Sequence, residues 1–252
     1  MKNTVNILHL LGIAALLIGA SCTPKKTTPP VDTGLAALHV TNMAGNQQLN
    51  ITTGPFVNTN GDTVTISLFR YYVSNIVLNG ATNYTESNSY HLLKQDDPTS
   101  LNIILNSIPV GSYTGITYLI GVDSIRNVSG AQTGALDPLN GMFWAWNTGY
   151  IMAKLEGTSP SANTPGHKFA FHIGGFSGPN NAVKTVTLTF PSPLVITKSN
   201  TSNIYLHADA HKWFSPNTIR TAVTDDIAVS CDTAGMIAKN YAQMFGADSV
   251  KN

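Results

Sequence analysis

The run Val64-Thr65-Ile66-Ser67-Leu68-Phe69-Arg70-Tyr71-Tyr72-Val73-Ser74-Asn75-Ile76-Val77-Leu78 leaves this chain few choices of fold. β-Branched and aromatic residues fill it, and such side chains favour a pleated, half-buried surface. The turn signal Asn60-Gly61-Asp62 stands just before it. Fifteen residues are too many for one flat strand, so the run predicts a bend near Arg70 or Ser74. Shorter alternating stretches recur on both sides, at Leu38–Thr41, Leu49–Thr52, Tyr90–Leu93, Ile103–Leu105, Ile116–Asp123, Val183–Phe190, Leu194–Thr197 and Ile204–His211. Only near the end does a helical period replace them. Asp232 is a suitable N-cap, Ile237, Tyr241 and Phe245 recur every four residues, and Gly246 stands at the C-cap position. The expectation is an all-β chain: an antiparallel β-sandwich with long loops and one C-terminal helix over 232–246.

The N-terminus speaks to compartment. Lys2 precedes an apolar run from Val5 to Ala20 that ends at Gly19-Ala20-Ser21-Cys22, reading as a secretory signal segment. Small residues immediately before a cysteine resemble the lipobox of bacterial lipoproteins, with Gly19 where Leu or Val is usual. Residues 1–22 are therefore expected to be a lipoprotein signal segment ending at a lipidated Cys22. Residues 23–34, with Lys25-Lys26 and Pro29-Pro30, have the composition of a tether. Residues 35–252 would form a single domain held to a membrane, at the periplasmic or cell surface. With Cys22 lipidated, Cys231 has no partner, which excludes a disulfide framework. Charged residues make up only 11%, the net charge is +1, and no long basic run exists, so nucleic acid is excluded as a partner.

Candidate chemistry is concentrated in three places. Gly141-Met142-Phe143-Trp144-Ala145-Trp146-Asn147-Thr148-Gly149-Tyr150 holds two of the three tryptophans. Read as a strand, it puts Met142, Trp144 and Trp146 on one face and Phe143 and Ala145 on the other. The long connection Ser124–Asn140 delivers the chain to it, and structureless connections of that length inside compact domains are usually functional. In Lys168-Phe169-Ala170-Phe171-His172-Ile173-Gly174-Gly175-Phe176, the phenylalanines and Ile173 share one face. His172 shares the other with Ala170 and Gly174, which leaves room beside the imidazole. In Ile204–His211, His207 and Asp209 fall on one face with Cα atoms about 6.6 Å apart, near enough to share a metal. Asp209 with His211 is the alternative pairing, and His211 could join His207 only if the chain curls after Asp209. A solvated polar face remains the plainer reading of that strand. No phosphate loop, nucleophile elbow or zinc-protease helix is present, so no enzyme motif emerges.

Gly121-Val122-Asp123, Asp137-Pro138-Leu139-Asn140, the tryptophan segment, Lys154-Leu155-Glu156-Gly157 and Phe171-His172-Ile173-Gly174-Gly175 together resemble the MbnP family. The likeness is to its lipoprotein members in Bacteroidetes-type bacteria, and the family is related to MopE/CorA-type proteins. It extends over about Leu38 to Ala210. The resemblance implies an envelope β protein that binds copper without being an enzyme. It also implies a tryptophan oxidised by a dihaem partner related to cytochrome c peroxidase, a MauG-like protein. Carried over by residue, His172 is the first ligand candidate, and Trp144 and Trp146 match the tryptophan pair. Copper-binding relatives are expected to show Asn-His where this chain has Asn127-Val128. Copper would then need substitutes such as His39 or the His207 and Asp209 pair. A metal-free envelope module that binds a glycan or a protein is the alternative.

Overall fold

The computed structural model describes residues 31–51, 54–144, 149–218, 220, 226–228 and 231–252, with 226–228 as backbone. Cys22 and Trp146 fall outside them. The strands are β1 (Thr33–Ala44), β2 (Gln47–Gln48), β3 (Phe56–Val57), β4 (Thr63–Gly80), β5 (Tyr84–Thr85), β6 (Tyr90–Lys94) and β7 (Asn102–Pro109). They continue with β8 (Gly111–Ile120), β9 (Ile151–Thr158), β10 (Lys168–Gly174), β11 (Lys184–Ile196), β12 (Thr201–Asp209), β13 (Asp226–Ala228) and β14 (Phe245–Lys251). Two helices are added, the one-turn α1 (Ser124–Asn127) and α2 (Asp232–Tyr241).

Two sheets form the expected sandwich. The smaller runs β14-β12-β1-β2 with β7 also on β1, and the larger runs β11-β8-β4-β9-β10-β13 with β3, β5 and β6 on β4. Most pairings are antiparallel, but β1 runs parallel to β12 and β10 parallel to β13. Their inner faces meet through aromatic rings. Phe245 of β14 lies 5.6 Å from the Tyr71 ring and 5.2 Å from that of Tyr118, and the Tyr71 hydroxyl donates to Asn42 Oδ1 at 2.7 Å.

Three expectations change. The domain starts inside the predicted tether, because β1 begins at Thr33 and pairs with Pro109 from its first residue. The C-terminal helix stops at Tyr241, and Cys231, not Asp232, caps it by accepting from the Ala234 amide. Phe245, expected on the helical stripe, starts the edge strand β14 instead. The reason is that β12 has an open edge, and seven residues of tail satisfy it with a ladder the helix could not supply. Third, the described ends of the tryptophan segment lie outside the strands: an isolated antiparallel bridge joins Phe143 to Tyr150, residues 145–148 fall outside the described residues, and β9 begins at Ile151.

The predicted bend in β4 is present and positions everything that follows. Its register with β8 breaks between Ser74 and Val77, and Asn75 sits at φ 54°. At Tyr71, β6 and β9 pair from opposite sides; at Ser74, β6 and β8 do. So β9 and β8 lie end to end along one side of β4. The chain leaves that side at Gly121 and returns at Ile151, with the long connection and the tryptophan segment between.

Candidate functional site

The tryptophan corner is fixed at three points. At its entry, Arg70 Nη1 donates to the Asn140 carbonyl at 3.2 Å and Lys154 Nζ to the Gly141 carbonyl at 3.1 Å. At its exit, the Tyr150 amide donates to Asn127 Oδ1 at 2.8 Å, while Asn127 Nδ2 donates to the Val122 and Asp123 carbonyls. Asn127 is thus a buried clamp from α1 to the end of the corner. Between these, Trp144 lies flat against Gly174, where an added Cβ would stand 2.2 Å from the indole. Only glycine admits the ring there.

His172 lies on the outer face of β10, as the alternation predicted, with Phe169, Phe171 and Ile173 buried, whereas Gly174 is buried as well and follows a register shift after Ile173. Trp144, against Gly174, and His172 thus meet β10 two residues apart. His172 Nε2 stands 2.7 Å from Glu156 Oε1, and Lys154 Nζ lies 3.7 Å from the same oxygen. Register places Lys94, Arg70, Lys154 and His172 in one row across four strands. Such a row of like charges is unfavourable unless carboxylates interleave. Asp97 on Lys94, Asp96 on Arg70 and Glu156 between Lys154 and His172 do so. The hydrogen bonds that Arg70 donates to Asp96 raise the Arg70 pKa, and the same contact holds the Asp96 carboxyl below its usual range. Burial lowers the Lys154 pKa, with Arg70 adding to the effect and Glu156 opposing it.

The other candidate ligands lie elsewhere. His39 is on the outer face of the smaller sheet. Its ring nitrogens meet Asn102 Oδ1 at 2.6 Å and Asn203 Oδ1 at 3.0 Å, and its ring stacks on Tyr205. His207 Nδ1 is 2.6 Å from Asp248 Oδ1. The chain does curl after Asp209, but that carboxylate accepts from the Gly45 amide at 2.8 Å and the His211 amide at 3.0 Å, which is the work of a turn. The expected pairing of His207 with Asp209 gives way to His207 with Asp248, because β14 occupies the strand edge. Among the described residues, no three His, Cys, Asp or Glu side chains are grouped to hold one metal ion. The donors nominated for copper thus occupy different faces and do not fit a single site. Sequence reasoning missed Arg70, Lys154 and Asn127 as the residues that shape the corner, because each acts through backbone groups far away in sequence.

Comparison with known proteins bears on this arrangement. The MbnP family model matches residues 33–233. The chain belongs to the MbnP family. Its fold is similar to that of MbnP from Methylosinus trichosporium, with a TM-score of 0.53 and 16% identity over 80% of this chain and 83% of that one. No curated protein matches the sequence. The family match spans the tryptophan corner, β10 and the N-cap of α2.

Proposed function

We propose that this MbnP-family chain is a non-catalytic envelope protein, tethered through a lipidated Cys22, that engages another envelope protein at its tryptophan corner and holds no resident copper. The observation that carries this reading is the donor set at the corner. Among the described residues the corner holds one imidazole, that of His172, and its Nε2 already faces Glu156 at 2.7 Å. Val128, at the place where copper-binding relatives are expected to carry histidine, is 71% exposed and cannot ligate. Ile125 in α1 and Leu139 in the short turn before the corner are exposed as well. Apolar side chains presented from a rigid loop suit a protein surface better than a sugar.

A second reading, copper handling with a tryptophan oxidised by a dihaem MauG-like partner, is favoured by one feature: Trp144 packs against Gly174, two residues along β10 from His172. Metal analysis of chain purified from the envelope separates the two. Substoichiometric copper, unchanged in His172→Ala, supports the first; one copper per chain that His172→Ala removes overturns it. On the first reading, Val128→His raises copper affinity by roughly tenfold or more by restoring the missing donor. After co-expression with a dihaem protein, the peptide Met142 to Tyr150 keeps its unmodified mass on the first reading and gains oxygen on the second.

A further inference from the structure

The sandwich has two unlike ends. β1, β8 and β12 carry Thr33, Gly111 and Thr201 at one end, and β8 runs from there to Gly121 beside the tryptophan corner. Ten large apolar side chains are exposed among the described residues, and five of them are Val31, Leu35, Ile104, Val110 and Val195. All five belong to the end where the chain enters the domain or to the sheet face just behind it.

These residues are held in place by neighbouring structure. The Val110 amide donates to the Asp32 carbonyl at 2.9 Å, Asp32 pairs with Lys198 at 2.7 Å, and Val195 pairs with Ser112 in the β11–β8 register. Val31 and Val110, 68% and 46% exposed, line a mainly apolar hollow of about 420 Å³ with Pro109 and Tyr113. A rigid apolar rim in water costs free energy unless something covers it.

Covalent connectivity says what can. Nine residue steps lead from Cys22 to Val31, which at full extension reach about 30 Å. A lipid on Cys22 would therefore keep the rim within about that distance of the bilayer. Lys25 and Lys26 lie within that span, and cations near a surface are drawn to anionic headgroups. Lys198 adds little, being neutralised by Asp32.

We propose that the end of the sandwich bearing Val31, Val110 and Val195 is a membrane-resting surface that seats its apolar rim in the lipid headgroup layer. Acyl chains and rim then act as two attachment signals, which hold more firmly than either alone. The consequence is an orientation. Along β8, Gly121 lies eight residues beyond Tyr113, about 25 Å, so the tryptophan corner stands clear of the bilayer and open to a soluble partner. The inference rests on the lipidated Cys22 of the proposed function.

The test uses the lipidated full chain in vesicles of phosphatidylethanolamine and phosphatidylglycerol, with lysine acetylation followed by mass spectrometry. Lys198 reports the rim, and Lys212, exposed just beyond the far end of β12, reports the opposite end. The expected result is Lys198 labelling slower relative to Lys212 by roughly threefold or more, restored in the double variant Val31→Asp, Val110→Asp. Equal labelling in wild type and variant would overturn the proposal. The mass of the N-terminal peptide checks the anchor separately. Should Cys22 carry no lipid, the same footprint with added vesicles decides: protection of Lys198 keeps the rim and removes the anchor, and no protection removes both.

Discussion

Trp144 and Trp213 are the two tryptophans whose surroundings the structure describes, and they do opposite things. Trp213, at the end of the short turn after β12, is fully buried between the larger sheet and α2. Its ring stands 5.8 Å from Phe69 and 5.2 Å from Tyr241. Trp144 is buried against a glycine near the end of β10, held by a corner that charged side chains and Asn127 pin from both sides. The first is placed by apolar burial, which any large ring of the right shape could share. The second is placed by polar contacts and a missing Cβ, a costlier arrangement that stability alone does not explain.

The largest effect should follow Trp213→Ala, which removes a fully buried ring and leaves a cavity between sheet and helix. A loss of about 3–5 kcal/mol is expected in urea unfolding. Trp144→Ala should cost somewhat less, about 2–4 kcal/mol, since its ring keeps 7% exposure where Trp213 keeps none. Equal losses would mean that the corner buries its ring as firmly as the sandwich buries Trp213. Next comes Gly174→Ala. The added Cβ would overlap the indole, and either Trp144 or β10 must move, at about 1–3 kcal/mol. If the corner is built around that seat, the variant also shifts the fluorescence of Trp144, read in a background carrying Trp146→Phe and Trp213→Phe. Gly174→Ala with unchanged stability and emission would show that the indole does not need the seat.

Asn127→Ala is expected to act on the corner and leave the core intact. It orphans the buried Tyr150 amide and two carbonyls, at about 1–3 kcal/mol. Hydrogen exchange at Tyr150 should accelerate well before that of β4. Uniform acceleration across the sheet would instead place Asn127 in the global core.

Much of the fold was legible because alternation reports burial directly. The long β4 run, its bend near Ser74 and the outward face of His172 all follow from side-chain period and from one run being too long for a flat strand. Family resemblance rested on the same segments. What failed had a common cause. Helical period in Ile237, Tyr241 and Phe245 is genuine for the first two, but Phe245 answers to the open edge of β12, a demand set by a strand forty residues earlier. Phe143 and Tyr150, read as one strand with the tryptophans, instead face each other across an isolated bridge, because β8 and β9 share one side of β4 and the chain between them must leave the sheet. The metal pair on β12 failed likewise, since Asp209 is consumed by a turn and His207 by Asp248 of a strand the sequence did not reveal. Local period finds faces; it does not find neighbours.

The smallest effect concerns His211, which lies past the end of β12 on the same turn as Trp213. Its ring packs 4.5 Å from Phe56 and beneath Gly45, and its Nε2 is buried without a partner among the described residues. Burial lowers its pKa from the ordinary 6.5, with Asp209 pulling it back and Lys212 pushing it further down. The unfolded chain then binds the proton more readily than the folded one. Stability from this residue is therefore complete above about pH 6.5 and is lost as the pH falls through the folded value. His211→Phe keeps a ring against Phe56 and has no proton to gain. Urea midpoints at about pH 7.5 and about pH 5.5 should consequently fall further in the wild type than in the variant. Other histidines titrate equally in both proteins and cancel in the difference. Matching slopes would show that water reaches the imidazole, and that the turn which buries Trp213 stays open beside it.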